Sequence, residues 1–210
     1  MKFVNLRRVL VISPHPDDAE YSVSGTVDKY QDTTFYLLTL SPGGNFDDST
    51  GANRLLESRN FWNNFKNVIV LDPVSPSKSL ADVTQDALIN TIDKHSRLLQ
   101  FDGIMCPPNL DSHFEHRMAH EIARAVCRFG ARSLIEYNTP STYSEWGANV
   151  FVDINDFLGT KMDMLKQHFV SQLDRLYFED DIIEDFHSDF FCSKRGLGRV
   201  EKFKVDFLMA

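Results

Sequence analysis

The chain has 210 residues, 42% of them apolar and 25% charged, which excludes disordered and fibrous classes and predicts one domain with a self-sufficient core. With 22 basic against 30 acidic residues the net charge is −8, so neither nucleic acid nor an anionic lipid surface is an expected partner. Three cysteines, Cys106, Cys127 and Cys192, lack C-x-x-C spacing, and the apolar run after Arg7 and Arg8 is too short for a signal peptide or a membrane span; reduced thiols and a cytoplasmic location are expected.

Val9 to Ile12 form a continuous apolar run closed by Pro14, the pattern of a strand buried on both faces and hence of a parallel sheet. At its end comes a polar cluster, Ser13 to Glu20, in which His15, Asp17 and Asp18 are placed to face the crevice of such a sheet. The same aspartates also read as an ordinary helix N-cap. A helix over Ser22 to Tyr30 follows, then a strand over Thr33 to Leu40. Ser41 to Ala52, dense in Gly, Ser and Asp, is expected as irregular chain forming a wall of the site and carrying specificity.

Further elements are predicted as a helix over Asn53 to Asn64, a strand over Asn67 to Leu71, a helix over Asp82 to Gln100 and a strand over Gly103 to Cys106. The second polar cluster, Asp111 to His120, starts just after that strand. Its His113, His116 and His120 stand at i, i+3 and i+7, a helical stripe that points their nitrogens one way, although His120 alone reads more readily as a core histidine. A helix over Phe114 to Phe129 and a strand over Ser133 to Glu136 come next. Val170 to Gly198 has no clean period, and Phe203, Val205 and Phe207 alternate with polar residues as in a half-exposed strand. The alternation predicts an α/β fold: a Rossmann-like, mostly parallel sheet with helices on both faces, in one domain whose residues 171–210 pack as an extension on a 1–170 core.

Joined, the two clusters offer His15, one of Asp17 or Asp18, and His116 as N/O ligands with an open position, which is what catalytic Zn²⁺ requires. The second aspartate and His113 then remain for proton transfer and charge stabilisation. His15-x-Asp17 with a distant histidine also spells a two-His, one-carboxylate iron site, which usually sits on all-β folds. A third reading makes both clusters helix caps.

At these residues the chain resembles the PIG-L type, or LmbE-like, zinc-dependent N-acetylglucosamine deacetylases. His15-Pro16-Asp17-Asp18-Ala19-Glu20 matches the family's HPDDxE, and Ser24-Gly25-Thr26 with Tyr30 is similar to its GGT…Y helix start. His113-Phe114-Glu115-His116 stands where the family has HPDH. Arg54 to Glu57 is similar to an RxxE helix, Lys161 with His168, Ser171 and Gln172 to K…HxSQ, and Glu201 with Phe203 to ExF. The resemblance implies that His15, Asp18 and His116 bind Zn²⁺ (or another divalent metal such as Fe²⁺), that Asp17 is the general base and His113 the electrostatic and acid partner, that Glu115 orients the histidine before it, and that Arg54 binds substrate. It implies hydrolysis of an N-acetyl group from an amino sugar or sugar conjugate, with the leaving amine protonated by His113 or by Asp17, in a protein that assembles into homo-oligomers. The alternative on the same fold is a non-catalytic sugar-binding or scaffold relative, because Phe114 and Glu115 replace the usual Pro and Asp.

Overall fold

The computed structural model describes residues 3–44, 51–77, 79–128, 130–131 and 133–208. Residues 45–50 of the predicted site wall, and Phe129 at the end of a predicted helix, lie outside them. The strands are β1 (Arg8–Ser13), β2 (Thr34–Thr39), β3 (Val68–Val70), β4 (Gly103–Cys106), β5 (Ser133–Tyr137), β6 (Val150–Asp153) and β7 (Val200–Leu208). They form one sheet in the order β3-β2-β1-β4-β5-β7-β6. The first five are parallel, and β7 runs antiparallel to both β5 and β6.

Helices cover both faces, as the alternation predicts. Val9 and Val11 face one core with residues of α1 (Asp18–Lys29), α2 (Gly51–Trp62) and α5 (Asn155–His168). Leu10 and Ile12 face the other, under α3 (Gln85–Leu99) and α4 (Phe114–Cys127). β1 is thus buried on both sides, which is why its sequence carries no alternation. The three cysteines are buried free thiols, and no helix among the described residues is long and apolar enough to cross a membrane.

Several elements differ from expectation. α1 starts at Asp18, four residues before Ser22, because the acidic cluster is itself the helix entry. The helix predicted from Asp82 is a 3-10 turn, Leu80–Asp82, followed by α3, whose N-cap Thr84 accepts the Ala87 N–H. β6 and α5 were not expected: one is four residues long, and the other buries only Leu158, Lys161 and Leu165, too weak a stripe to read. Val170 to Gly198 folds as 3-10 turns Val170–Gln172 and Leu176–Phe178, then α6 (Asp180–Phe186) and α7 (Phe190–Lys194), each too short to show a period. β7 is half-exposed only toward its end. It is inserted within the sheet, with Val200 and Phe203 fully buried.

A buried ion pair fixes this last strand. Lys161 Nζ of α5 donates to Glu201 Oε1 of β7 at 2.6 Å and to His187 Nε2 at 2.8 Å, and Glu201 also accepts the Gly25 and Thr26 N–H groups of α1 at 2.8 and 2.7 Å. A Cβ on Gly25 would lie 2.9 Å from Ile154 and 3.1 Å from Glu201 Oε1, so glycine permits this approach.

Candidate metal centre

β1 and β4 are neighbours whose outer partners, β2 and β5, lie on opposite sides. At such a switch point the carboxyl ends of the strands diverge and open a crevice. The segment after β1 carries His15, Asp17 and Asp18 there, and the segment after β4 carries Asp111, His113 and His116. A cavity of about 620 Å³ opens at this point, bounded by His15, Asp17, Asp18, Arg54, His113, Glu115, His116 and Tyr177 among others.

Asp18 is the hub. Its Oδ2 accepts the His15 N–H at 3.0 Å and lies 3.4 Å from His15 Nδ1, while Oδ1 lies 3.3 Å from His116 Nε2. Donor atoms around a tetrahedral Zn²⁺ are roughly 3.3 to 3.4 Å apart, given bond lengths of about 2.0 to 2.1 Å. Each of these two nitrogen–oxygen spacings is the size found between donors on one divalent metal, and they run to different oxygens of Asp18. Burial pulls the His116 imidazole down, but Asp18 and Asp111 outweigh it and hold it at about 10. His15 is likewise pulled down by burial and raised by Asp18 and Glu115, to about 8. Burial pushes the Asp18 carboxyl up, and the two imidazoles overcome that and hold it well below the usual carboxylate range. Two cations around one anion is the charge pattern a bound divalent ion replaces.

Asp111 orients His116, a role absent from the sequence reading. It is fully buried, and its Oδ2 accepts His116 Nδ1–H at 3.0 Å and Thr139 Oγ1–H at 2.5 Å. Its Oδ1 accepts Ser141 Oγ–H and the His113 N–H, both at 2.7 Å. A carboxylate on Nδ1 leaves Nε2 available to a metal, the arrangement usual for a ligating histidine. Its signal in sequence was proximity: an aspartate two residues before the first histidine of the second cluster.

Two expectations are corrected. Glu115 does not orient His113: its Oε2 meets His15 Nε2, and its Oε1 accepts Ser79 Oγ–H at 2.5 Å and the Leu80 N–H at 2.7 Å. The extra methylene relative to Asp gives it that reach. Burial raises its carboxyl, but these partners prevail and hold it at about 2. His120 does not share the direction of His113 and His116. It turns to Glu136, 3.4 Å from Oε1, and to the Pro107 carbonyl at 3.3 Å, because His113 is the N-cap of α4 rather than part of its stripe. His120, Glu136 and Asp206 bring ligand atoms within 4.8 Å, but Lys204 Nζ, 3.5 Å from Glu136 and 3.4 Å from Asp206, already supplies the cation there.

Arg54 does not pair with Glu57, its neighbour one turn on. Its Nη2 donates to Asp17 Oδ2 and to the Pro16 carbonyl, both at 2.7 Å. Glu57 instead accepts the Ser171 N–H at 2.9 Å and hydroxyl at 2.6 Å. Asp17 is both cap and site residue: it precedes α1 at φ 105°, a conformation costly for a residue with a Cβ. Glu20 holds it there by accepting its N–H at 3.0 Å, anchored by Trp62 Nε1–H at 2.8 Å and the Ser58 hydroxyl. Burial pushes the Asp17 carboxyl up, and Arg54 offsets this only in part.

His113 is exposed at the cavity mouth, stacked on His116 at 4.6 Å and edge-on to His15 at 5.1 Å. Its Nδ1 accepts the Glu115 N–H at 3.2 Å, so in the neutral ring the proton sits on Nε2. Partial burial and the two adjacent imidazoles lower its pKa and favour that neutral form. Nε2–H is then a donor, and the His113 ring, together with His15 and His116, brings a ligand atom into one set within 4.8 Å.

The sequence profile of the family described as PIG-L, GlcNAc-PI de-N-acetylase, matches residues 10–127. No curated protein matches the chain. Among solved structures the chain is similar to N,N'-diacetylchitobiose deacetylase from Pyrococcus horikoshii, with 22% identity, 97% of this chain and 85% of that chain covered, and a TM-score of 0.75. It is also similar to GalB, the 4-carboxy-2-hydroxymuconate hydratase of Pseudomonas putida KT2440 (16% identity, 97% and 98% covered, TM-score 0.75). A third is the A40926 pseudoaglycone deacetylase Dbv21 (14% identity, 97% and 98% covered, TM-score 0.70). At these identities the likeness is one of fold, and the fold carries more than one chemistry.

Proposed function

Since the chain belongs to the PIG-L family, whose profile spans more than half of it, we propose that it is a metal-dependent amide hydrolase that removes the N-acetyl group from an amino sugar or sugar conjugate. The observation that supports this reading is that Asp18 lies between His15 and His116, 3.4 and 3.3 Å from a ring nitrogen of each, with Asp17 and His113 lining the same cavity. His15, Asp18 and His116 would hold the metal, Zn²⁺ in the first instance. Bound there, Zn²⁺ supplies Lewis-acid polarisation of an amide carbonyl and lowers the pKa of water toward about 7.

Asp17 takes the proton from the attacking water. Its raised pKa makes it a better base than an exposed aspartate, and Arg54 fixes the carboxylate's orientation. The Nε2–H of His113 donates to the oxygen on which negative charge develops, a contact whose loss typically costs about 100- to 1,000-fold in rate. A neutral His113 has no second proton to spare, so Asp17 returns the one it accepted to the leaving amine. Arg54, besides holding Asp17, borders the cavity where sugar hydroxyls would lie. Glu115 acts through His15, not through His113.

The test is acetate release by the zinc-loaded protein from a panel of N-acetylated sugars, nucleotide sugars and glycosides, with Asp17→Asn as control. Release by the wild type that vanishes in a zinc-binding Asp17→Asn variant is the expected result. No release across the panel, or release retained in that variant, would overturn the reading.

A further inference from the structure

The peptide group that joins Pro16 to Asp17 is held from both sides. The Pro16 carbonyl accepts Arg54 Nη2–H at 2.7 Å, and the N–H of the same peptide, that of Asp17, donates to Glu20 Oε2 at 3.0 Å. In a trans peptide these two groups point in opposite directions, so the pair of contacts fixes its orientation. Both contacts depend on α2. Arg54, Ser58 and Trp62 stand at i, i+4 and i+8 along one face of that helix, and all three are buried. Arg54 grips the carbonyl directly. Ser58 Oγ–H and Trp62 Nε1–H both donate to Glu20 Oε1, the second at 2.8 Å, and leave Oε2 for Asp17. The indole is set in turn by Phe61 and Phe65, whose ring centroids each lie 5.1 Å from its own.

This grip opposes a conformation that the local chain would otherwise favour. Asp17 sits at φ 105° and ψ −33°. Turning the Pro16–Asp17 peptide over would carry φ by about 180°, to roughly −75°, which with the same ψ is the ordinary right-handed helix. Asp17 would then extend α1 by one residue at its start. Such a turn leaves the flanking Cα atoms in place and so disturbs His15 and Asp18 little. It re-aims the Cα–Cβ bond of Asp17, however, and gives up the Arg54 contact to Pro16. Misplacing a reacting group by about 1 Å costs on the order of 100-fold in rate.

From this geometry we infer that Glu20 is a positioning residue of the reaction: anchored by Ser58 and Trp62, it works with Arg54 to lock the Pro16–Asp17 peptide in the orientation that aims the Asp17 carboxylate into the cavity. Glu20 itself is fully buried and acts through Asp17. The inference rests on the deacetylase reading above and adds to that site the element that orients its base.

The experiment measures kcat and KM for acetate release from N-acetylglucosamine and the other members of the panel above, in the wild type, Glu20→Gln, Trp62→Phe and the double variant. Turnover is expressed per bound zinc, so that unfolded molecules, which lack a formed site, do not count. Glutamine offers one oxygen to the Trp62 and Asp17 donors, and when the indole takes it the Asp17 N–H faces an amide N–H. Trp62→Phe withdraws that competition. The expected result is a fall in kcat of about 10- to 100-fold in Glu20→Gln with KM within about twofold of wild type, near wild-type kcat in Trp62→Phe, and recovery of most of the loss in the double variant. A glutamate of purely structural role would lower Tm or zinc content and leave kcat per bound zinc unchanged. Wild-type kcat in Glu20→Gln, a change confined to KM, or a double variant no faster than Glu20→Gln would overturn the inference and leave the deacetylase standing. Acetate from no member of the panel in the wild type would remove the deacetylase reading and this inference with it.

Discussion

Uptake of metal by this site is expected to be a proton exchange. In the metal-free protein, His15 is held at about 8 and His116 at about 10, each pulled down by burial and raised further by carboxylates. At pH 7 the first imidazole is then roughly nine-tenths protonated and the second wholly so, and ligation requires both to be neutral. Zn²⁺ therefore displaces close to two protons at pH 7, and removing them costs about 5 kcal/mol of the intrinsic binding free energy. Raising the pH strips these protons before the metal arrives. Affinity accordingly climbs about 100-fold per pH unit below 8, and about tenfold per unit between 8 and 10. Calorimetric titration at pH 7 in two buffers of different ionisation enthalpy counts the protons directly. A binding heat independent of buffer would refute the reasoning, because it would mean that the two imidazoles are neutral before the metal binds or are not its ligands.

Replacing Asp111 with Ala removes the acceptor on His116 Nδ1 and should weaken zinc binding by about 10- to 100-fold with the far-ultraviolet spectrum unchanged; a chelator competition giving wild-type affinity would dismiss the orienting role. Lys161→Met leaves Glu201 buried with only N–H partners and should cost about 3 to 5 kcal/mol, a fall in Tm of roughly 6 to 20 °C. Adding Glu201→Gln to that variant should recover part of the loss, and no recovery in urea unfolding would argue against the ion pair. His187 is held well below its ordinary value, by burial first and then by the Lys161 charge. Its contribution to stability is thus complete above about pH 6.5 and declines as the pH falls, by up to about 1.4 kcal/mol per unit, as the unfolded chain takes up a proton that the fold refuses. Urea unfolding from pH 7 to pH 5 should show this slope in the wild type and a shallower one in His187→Gln; identical slopes would count against it.

The parallel half of the sheet was legible because its strands are buried on both faces, and a run such as Val9 to Ile12, too short for a buried helix and without a polar face, fits little else than a central strand. The antiparallel half was not. β6 has four residues, and β7 shows an alternation that is locally correct yet says nothing of its place between β5 and β6. The first polar cluster was readable from its position after β1, where chemistry and topology coincide. What the sequence hid were the partners. Arg54 finds Asp17 rather than Glu57, and Asp111 finds Thr139 and Ser141, through contacts spanning 28 to 37 residues that no local spacing encodes. Glu115 misled because one methylene was read as a perturbation of the neighbouring histidine, whereas it lengthens the side chain enough to engage one 100 residues away.

The insertion of β7 sets an order on how the molecule is built. Among the described residues β6 pairs with β7 alone, and β5 has β4 on one side and β7 on the other. Until β7 is in place, β5 presents an open hydrogen-bonding edge and β6 lacks its described partner, so both are exposed to pairing with another chain. Slow closure dominated by contacts distant in sequence is the expected kinetic signature, with the parallel strands assembling early and the docking of β7 completing the sheet.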